Sequence, residues 1–150
     1  MTPGRRKVGG IVKIDLGDGT RTYARVLPAA SFAFYDARST DDLPLQTVIE
    51  RPILFFAAVI NRAINSGRWP LVGYLALDDK IRRPPTFIQD PLRKDSFSIY
   101  EGGDIRSATK DQCAGLERMA VWSPEHIEDR LRDHYAGRKN RWLEALKIVE

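Results

Sequence analysis

One cysteine and two histidines are all that 150 residues contain of the side chains most often recruited as metal ligands and strong nucleophiles. A single cysteine, Cys113, excludes an internal disulfide and suits a reducing compartment; its expected role is that of a buried structural thiol. The histidines, His126 and His134, stand eight positions apart, about 80° around a helix axis, and do not chelate one ion as an i, i+4 pair would. No metal and no cofactor are expected. No Gly-Lys-Ser/Thr triplet occurs, and neither Gly9-Gly10 nor Gly17-Asp-Gly19 is followed by a helix, so a phosphate loop is excluded. No serine occupies a strand-to-helix elbow, and Cys113 has no histidine near it in sequence. The longest apolar run, Ile53 to Ile60, falls far short of the about twenty residues of a membrane helix and reads as a buried strand. Arg5-Arg6-Lys7 resembles the start of an export signal, but Lys13 and Asp15 interrupt the apolar stretch that should follow. A cytoplasmic protein without a membrane partner is therefore expected.

What is present is an ordinary globular composition, 43% hydrophobic and 29% charged, sufficient for one domain over residues 1–150. Gly10-Ile-Val-Lys-Ile-Asp-Leu16 alternates apolar and polar residues, Gly17-Asp-Gly19 signals a turn, and Thr20 to Leu27 alternates again. Ser31 to Tyr35 is a third strand. Residues 37–51 read as a loop with at most one helical turn. Ile53–Ile60 follows as a central strand, with Pro52 at its permitted first position. Residues 61–70 read as a loop or a short helical turn, and Leu71–Leu77 as a strand bent at Gly73. Pro84, Pro85 and Pro91 keep residues 82–92 extended. Phe97–Tyr100 is a strand, Thr109-Lys-Asp-Gln112 a capping box, and Leu116–Trp122 the last strand. Ser123, Pro124 and Glu125 are a helix start, and helices over about 124–136 and 139–148 are separated by Gly137. Ile127, Leu131 and Tyr135 share one side of the first, so Trp122 should be buried between sheet and helix. The pattern predicts an α+β fold: a strongly bent antiparallel sheet or partly closed small β-barrel with two C-terminal helices.

The net charge of +4 is unevenly spread. Lys80, Arg82, Arg83, Arg93 and Lys94 cluster with Phe87 and Phe97 nearby, a combination that suits nucleic acid on a small barrel. From residue 95 to 133 acids outnumber bases, reversing the sign. Asp78-Asp79-Lys80 at a strand end has the composition of a magnesium site, but it also has that of a turn, which is the reading preferred here. Trp69, Trp122 and Trp142 are read as core or rim packing. No catalytic residues emerge.

The chain resembles the immunity protein 26 family, antidotes of bacterial polymorphic toxin systems. The residues that carry the resemblance run from Gly10-Ile-Val-Lys-Ile-Asp-Leu-Gly-Asp-Gly through Thr20-Arg-Thr-Tyr-Ala-Arg-Val-Leu27. They continue with Ala33-Phe-Tyr-Asp36, Ile53-Leu-Phe55, Gly67-Arg-Trp69, Gly115-Leu-Glu-Arg-Met-Ala-Val-Trp122 and His126-Ile-Glu-Asp-Arg-Leu131. Ala24 stands where the pattern leads one to expect glycine nearby. The resemblance implies a non-catalytic protein that binds and neutralises a cognate toxin domain, a nuclease being the expected class, in the bacterial cytoplasm. Nucleases need basic surfaces, so the partner-binding candidates are the acids Glu125, Glu128, Asp129 and Asp133 of the helix and Asp41 and Asp42 of the loop. The overall basic charge argues against simple DNA mimicry. The alternative is a nucleic-acid-binding module that uses Lys80, Arg82, Arg83, Arg93 and Lys94.

Overall fold

The computed structural model describes residues 5–150. In chain order its elements are β1 (Gly10–Asp15), β2 (Arg21–Val26), β3 (Ser31–Tyr35), α1 (Leu45–Ile49), β4 (Ile53–Val59), α2 (Arg62–Asn65) and β5 (Leu71–Tyr74). They continue as β6 (Thr86–Gln89), β7 (Phe97–Glu101), β8 (Asp104–Ala108), α3 (Lys110–Cys113), β9 (Val121–Trp122), α4 (Pro124–Ala136) and α5 (Arg141–Glu144). The fold is α+β. One sheet has the order β5-β1-β2-β3-β4-β9 and the other β6-β7-β8. All pairings are antiparallel except β4 with β9, and the large sheet stays open and does not close into a barrel.

The first hairpin follows from its turn. Asp15 and Asp18 accept the N–H groups of Gly17 and Thr20 at 2.8 and 3.0 Å, while Gly17 and Gly19 supply positive φ. The turn from β2 to β3 is built differently. Ala29 and Ala30 hold φ of 57° and 61°, the sign that a tight two-residue hairpin requires and that alanine disfavours. Gly73 marks a bulge in the β1–β5 pairing, and a Cβ there would come within 2.1 Å of the Leu45 side chain, so α1 rests directly on backbone.

The core explains the C-terminal helix. Trp69 is fully buried, edge-on to Phe32 and Phe34 with ring centroids at 5.6 and 5.8 Å. Trp122 is 6% exposed and shares this cluster with Ile127 and Leu131 of α4, so the strand-to-helix junction is buried between sheet and helix as its pattern predicts. A smaller cluster of Phe87, Phe97, Ile99 and Cys113 holds the second sheet.

Three expected elements differ from those found. The strand after residue 71 stops at Tyr74 because the carbonyls of Leu75 and Ala76 turn to the buried guanidinium of Arg25. The expected strand Leu116–Trp122 is divided. Arg118 bridges Phe87 of the second sheet, and only Val121 and Trp122 join the first. The second C-terminal helix has one turn, after which the tail lies across the second sheet, with Gln89 donating to the Val149 carbonyl at 2.8 Å. β8 has no counterpart in the sequence pattern. Asp104 to Ser107 are exposed on both faces without alternation, but Gly102-Gly103 at positive φ joins the strand to β7 as a hairpin.

Candidate partner-binding surface

α4 begins and ends where its residues dictate. The Ser123 hydroxyl accepts the His126 N–H at 3.3 Å, Pro124 takes the first turn, and Gly137 closes the helix at φ 70°. The helix thereby brings Glu125, Glu128, Asp129 and Asp133 together, but each acid meets partners of its own. Glu125 is held by both terminal guanidinium nitrogens of Arg62 and by Arg68 at 3.4 Å, and the Arg62 bond keeps its carboxyl below the usual carboxylate range. Asp129 accepts from Arg132 at 2.6 Å and from the Trp142 indole at 3.1 Å, and its carboxyl is likewise lowered, chiefly by Arg132. Asp133 accepts from Asn140 at 2.9 Å and pairs with Arg138 at 3.2 Å.

Glu128 is turned inward. It is 5% exposed, receives a two-pronged bond from Arg68 at 2.8 and 2.7 Å, and accepts the Trp69 indole N–H at 3.0 Å. Its carboxylate ties α4 to the residues after α2 and fixes the central tryptophan. Arg62, Arg68, Arg132 and Arg138 together offset the four acids, so this face of α4 carries no surplus of negative charge. Asp129 and Asp133 also fasten α5 to α4, which gives them a structural role beside any contact with a partner.

The loop acids differ between themselves. Asp42 accepts from Arg21 at 2.5 Å and Lys13 at 3.3 Å, which lowers its carboxyl, yet it is 63% exposed. Asp41 is exposed, and its backbone carbonyl receives the Ser39 hydroxyl at 2.6 Å.

The basic segment is dispersed. Lys80, Arg82 and Arg83 precede β6 and Arg93 and Lys94 follow it, so a strand about 13 Å long separates the two groups. Lys80, Arg82, Arg93 and Lys94 are exposed. Arg83 points inward, donates to the Ser31 hydroxyl at 2.9 Å, and burial lowers its pKa. The Asp78-Asp79-Lys80 stretch is a turn in which the Asp78 carboxylate accepts the Lys80 N–H at 2.8 Å. His126 stacks on Trp142 with centroids 3.6 Å apart, and Cys113 is buried, its thiol pushed up by desolvation. Among the described residues no group of histidine, cysteine and acid side chains is placed to hold a metal ion.

Sequence reasoning missed the inward turn of Arg83 and the arginine partners of the helix acids, since Arg62 and Arg68 lie some sixty positions away in the chain. The one available hint was Gly67-Arg-Trp69, whose arginine and tryptophan both meet Glu128.

Residues 7–98 match the family model described as Immunity protein 26, and no curated protein and no solved structure matches the chain. The matched stretch covers β1 through β6 and the start of β7, whereas β9 and α4, with the acids Glu125 to Asp133, lie outside it. More than half of the chain, including five of the six strands of the large sheet, thus follows one pattern, and the chain belongs to the immunity protein 26 family.

Proposed function

We propose that the protein is a non-catalytic antidote that binds a cognate toxin domain, of nuclease type, and neutralises it stoichiometrically in the bacterial cytoplasm. Membership of the immunity protein 26 family carries this reading. The arrangement of the acids supports the choice of a basic partner. Asp42, Glu125 and Asp129 are 63%, 41% and 44% exposed, and each is held in place by a neighbouring donor. A carboxylate has about four acceptor positions, so an arginine or lysine of a nuclease can share a group already fixed by an internal arginine. Preorganisation of that kind lowers the entropy lost on association. Asp41, beside Asp42, adds a charge to the same loop.

The test uses the toxin domain encoded beside this gene. Co-expression should restore growth, the two proteins should elute together at a fixed ratio, and nuclease activity should fall linearly with added antidote until that ratio is reached. Reversal of Asp41 and Asp42 to lysine should slow association, more so at low salt. Neutralisation at far below one antidote per toxin would show turnover and overturn the reading.

A further inference from the structure

Where residues 117–122 leave one sheet and join the other, a cleft opens along β4. The segment meets Phe87 at Arg118 and meets Ala58 and Val59 at Val121 and Trp122, so the first half of β4 is paired with β3 alone. Alternate residues of an antiparallel strand direct their backbone groups to opposite edges. Val59 donates to Ala30 on the β3 side at 3.0 Å, and Ile60 donates outward to Trp122 at 3.1 Å. Phe56, in phase with Ile60, therefore aims its N–H and C=O at the open edge.

A cavity of about 260 Å³ lies beside this edge, lined among others by Leu54, Phe56, Arg83, Thr86, Leu116 and Glu117. Two buried polar atoms of this lining, Arg83 Nε and Thr86 Oγ1, have no hydrogen-bond partner among the described residues, although Thr86 is only 6% exposed. Glu117 is already engaged at both oxygens by Arg130, at 3.0 and 2.6 Å. Arg6 donates to the Ser31 carbonyl at 2.9 Å while Arg83 donates to the Ser31 hydroxyl. Two guanidinium groups thus converge on one serine, and neither forms an ion pair with a carboxylate of the described residues. An unpaired strand edge, apolar walls and uncompensated arginine charge match an extended peptide that carries an acid. Nucleic acid would leave the strand edge and the leucines unused.

We propose that this cleft captures an extended acidic segment of the partner protein as an added strand on β4, its backbone pairing with Phe56 and its carboxylate with Arg83. The identity of the partner as a toxin rests on the antidote reading; the chemistry of the cleft does not. Main-chain bonds supply affinity to any extended chain, and the arginine selects those with an acid at the matching position.

A phage-displayed library of random linear peptides, panned on the intact protein, should enrich sequences with an aspartate or glutamate among β-branched and aromatic residues. An enriched peptide, once synthesised, should slow hydrogen exchange at the Phe56 amide and leave amides of β8 unchanged. Arg83→Met keeps the apolar stem and should weaken that peptide by about tenfold or more. Phe56→Pro removes the outward donor together with a ring that lines the cleft and should weaken it as well; Arg83→Met carries the test if the proline variant does not fold. Ile105→Thr, on the second sheet, should have no effect. A library that yields nothing, peptides without an acid, binding that survives both substitutions, or displacement of the peptide by single-stranded DNA would each overturn the proposal. A peptide bound at Phe56 by a protein that ignores the neighbouring toxin domain would sink the antidote reading and leave the cleft standing. Full toxin affinity in Arg83→Met, with no peptide enriched, would do the reverse.

Discussion

The two sheets of this protein are held by different means. β2 and β3 of the large sheet are buried along nearly their whole length, and α4 covers them with Ile127 and Leu131 at full burial. The second sheet has a four-residue core, and its outer strand β8 is exposed from Asp104 to Ser107. Much of what closes the second sheet is polar and comes from the end of the chain. Gln89 bonds the tail at Val149 through both its amide nitrogen and its oxygen, and Arg118 reaches the carbonyls of Leu146 and Lys147. Local stability follows apolar burial, so the two sheets should open at different free energies, the smaller first.

The comparison breaks most completely at Trp122, which belongs to the large core but sits on the segment shared by both sheets. Trp122→Ala should cost about 3–5 kcal/mol, and thermal melting should show both sheets lost together. Loss of the large sheet alone would mean that the tryptophan serves only its own side. Glu128→Ala comes next. It leaves the buried Trp69 indole N–H unpaired and releases Arg68, at a cost of about 2 kcal/mol, discounted because Arg68 is half exposed. Denaturant unfolding should report that loss with the slope unchanged. A smaller, more local effect is expected from Gln89→Leu, which frees the tail. Amides of residues 86–108 should exchange faster, equivalent to about 1 kcal/mol, while those of β1 to β3 keep their rates. The smallest change is a gain. Ala29→Gly or Ala30→Gly relieves positive φ and should stabilise the fold by about 0.5–1 kcal/mol each, read as a higher melting midpoint.

The same division governs what the sequence made legible. Where local chemistry decides, the structure agrees with the residues almost position for position. The capping box at Thr109 and Gln112 closes reciprocally, and α4 runs from Pro124 to Ala136 between its serine cap and its glycine. The first hairpin follows from alternation and turn residues, β3 from a short strand pattern stopped at Asp36, and β4 from its continuous apolar run after Pro52. Legibility ends where a group's partner is distant in the chain. Nothing near Glu125 or Glu128 announces Arg62 and Arg68, so acids that read as an available patch are largely matched within the fold. Nothing near Leu116 announces that its segment will serve two sheets. β8 is the instructive exception: Glu101-Gly-Gly-Asp104 is a local turn signal, but the strand after it has no buried face to give an alternating pattern.

The shared segment also sets a schedule for synthesis. β1 to β4 form a meander of neighbours in sequence and can assemble once residue 59 has left the ribosome. The outer edge of β4 then waits for residue 121 before Ala58 finds Val121. At ordinary elongation rates that delay is roughly 3 to 12 seconds. Throughout it, Ile53-Leu-Phe-Phe-Ala-Ala-Val59 is an apolar strand with one side unsatisfied, the kind of edge that pairs with whatever strand is nearest. The nascent chain is therefore most exposed to misassembly in the interval before its last strand arrives.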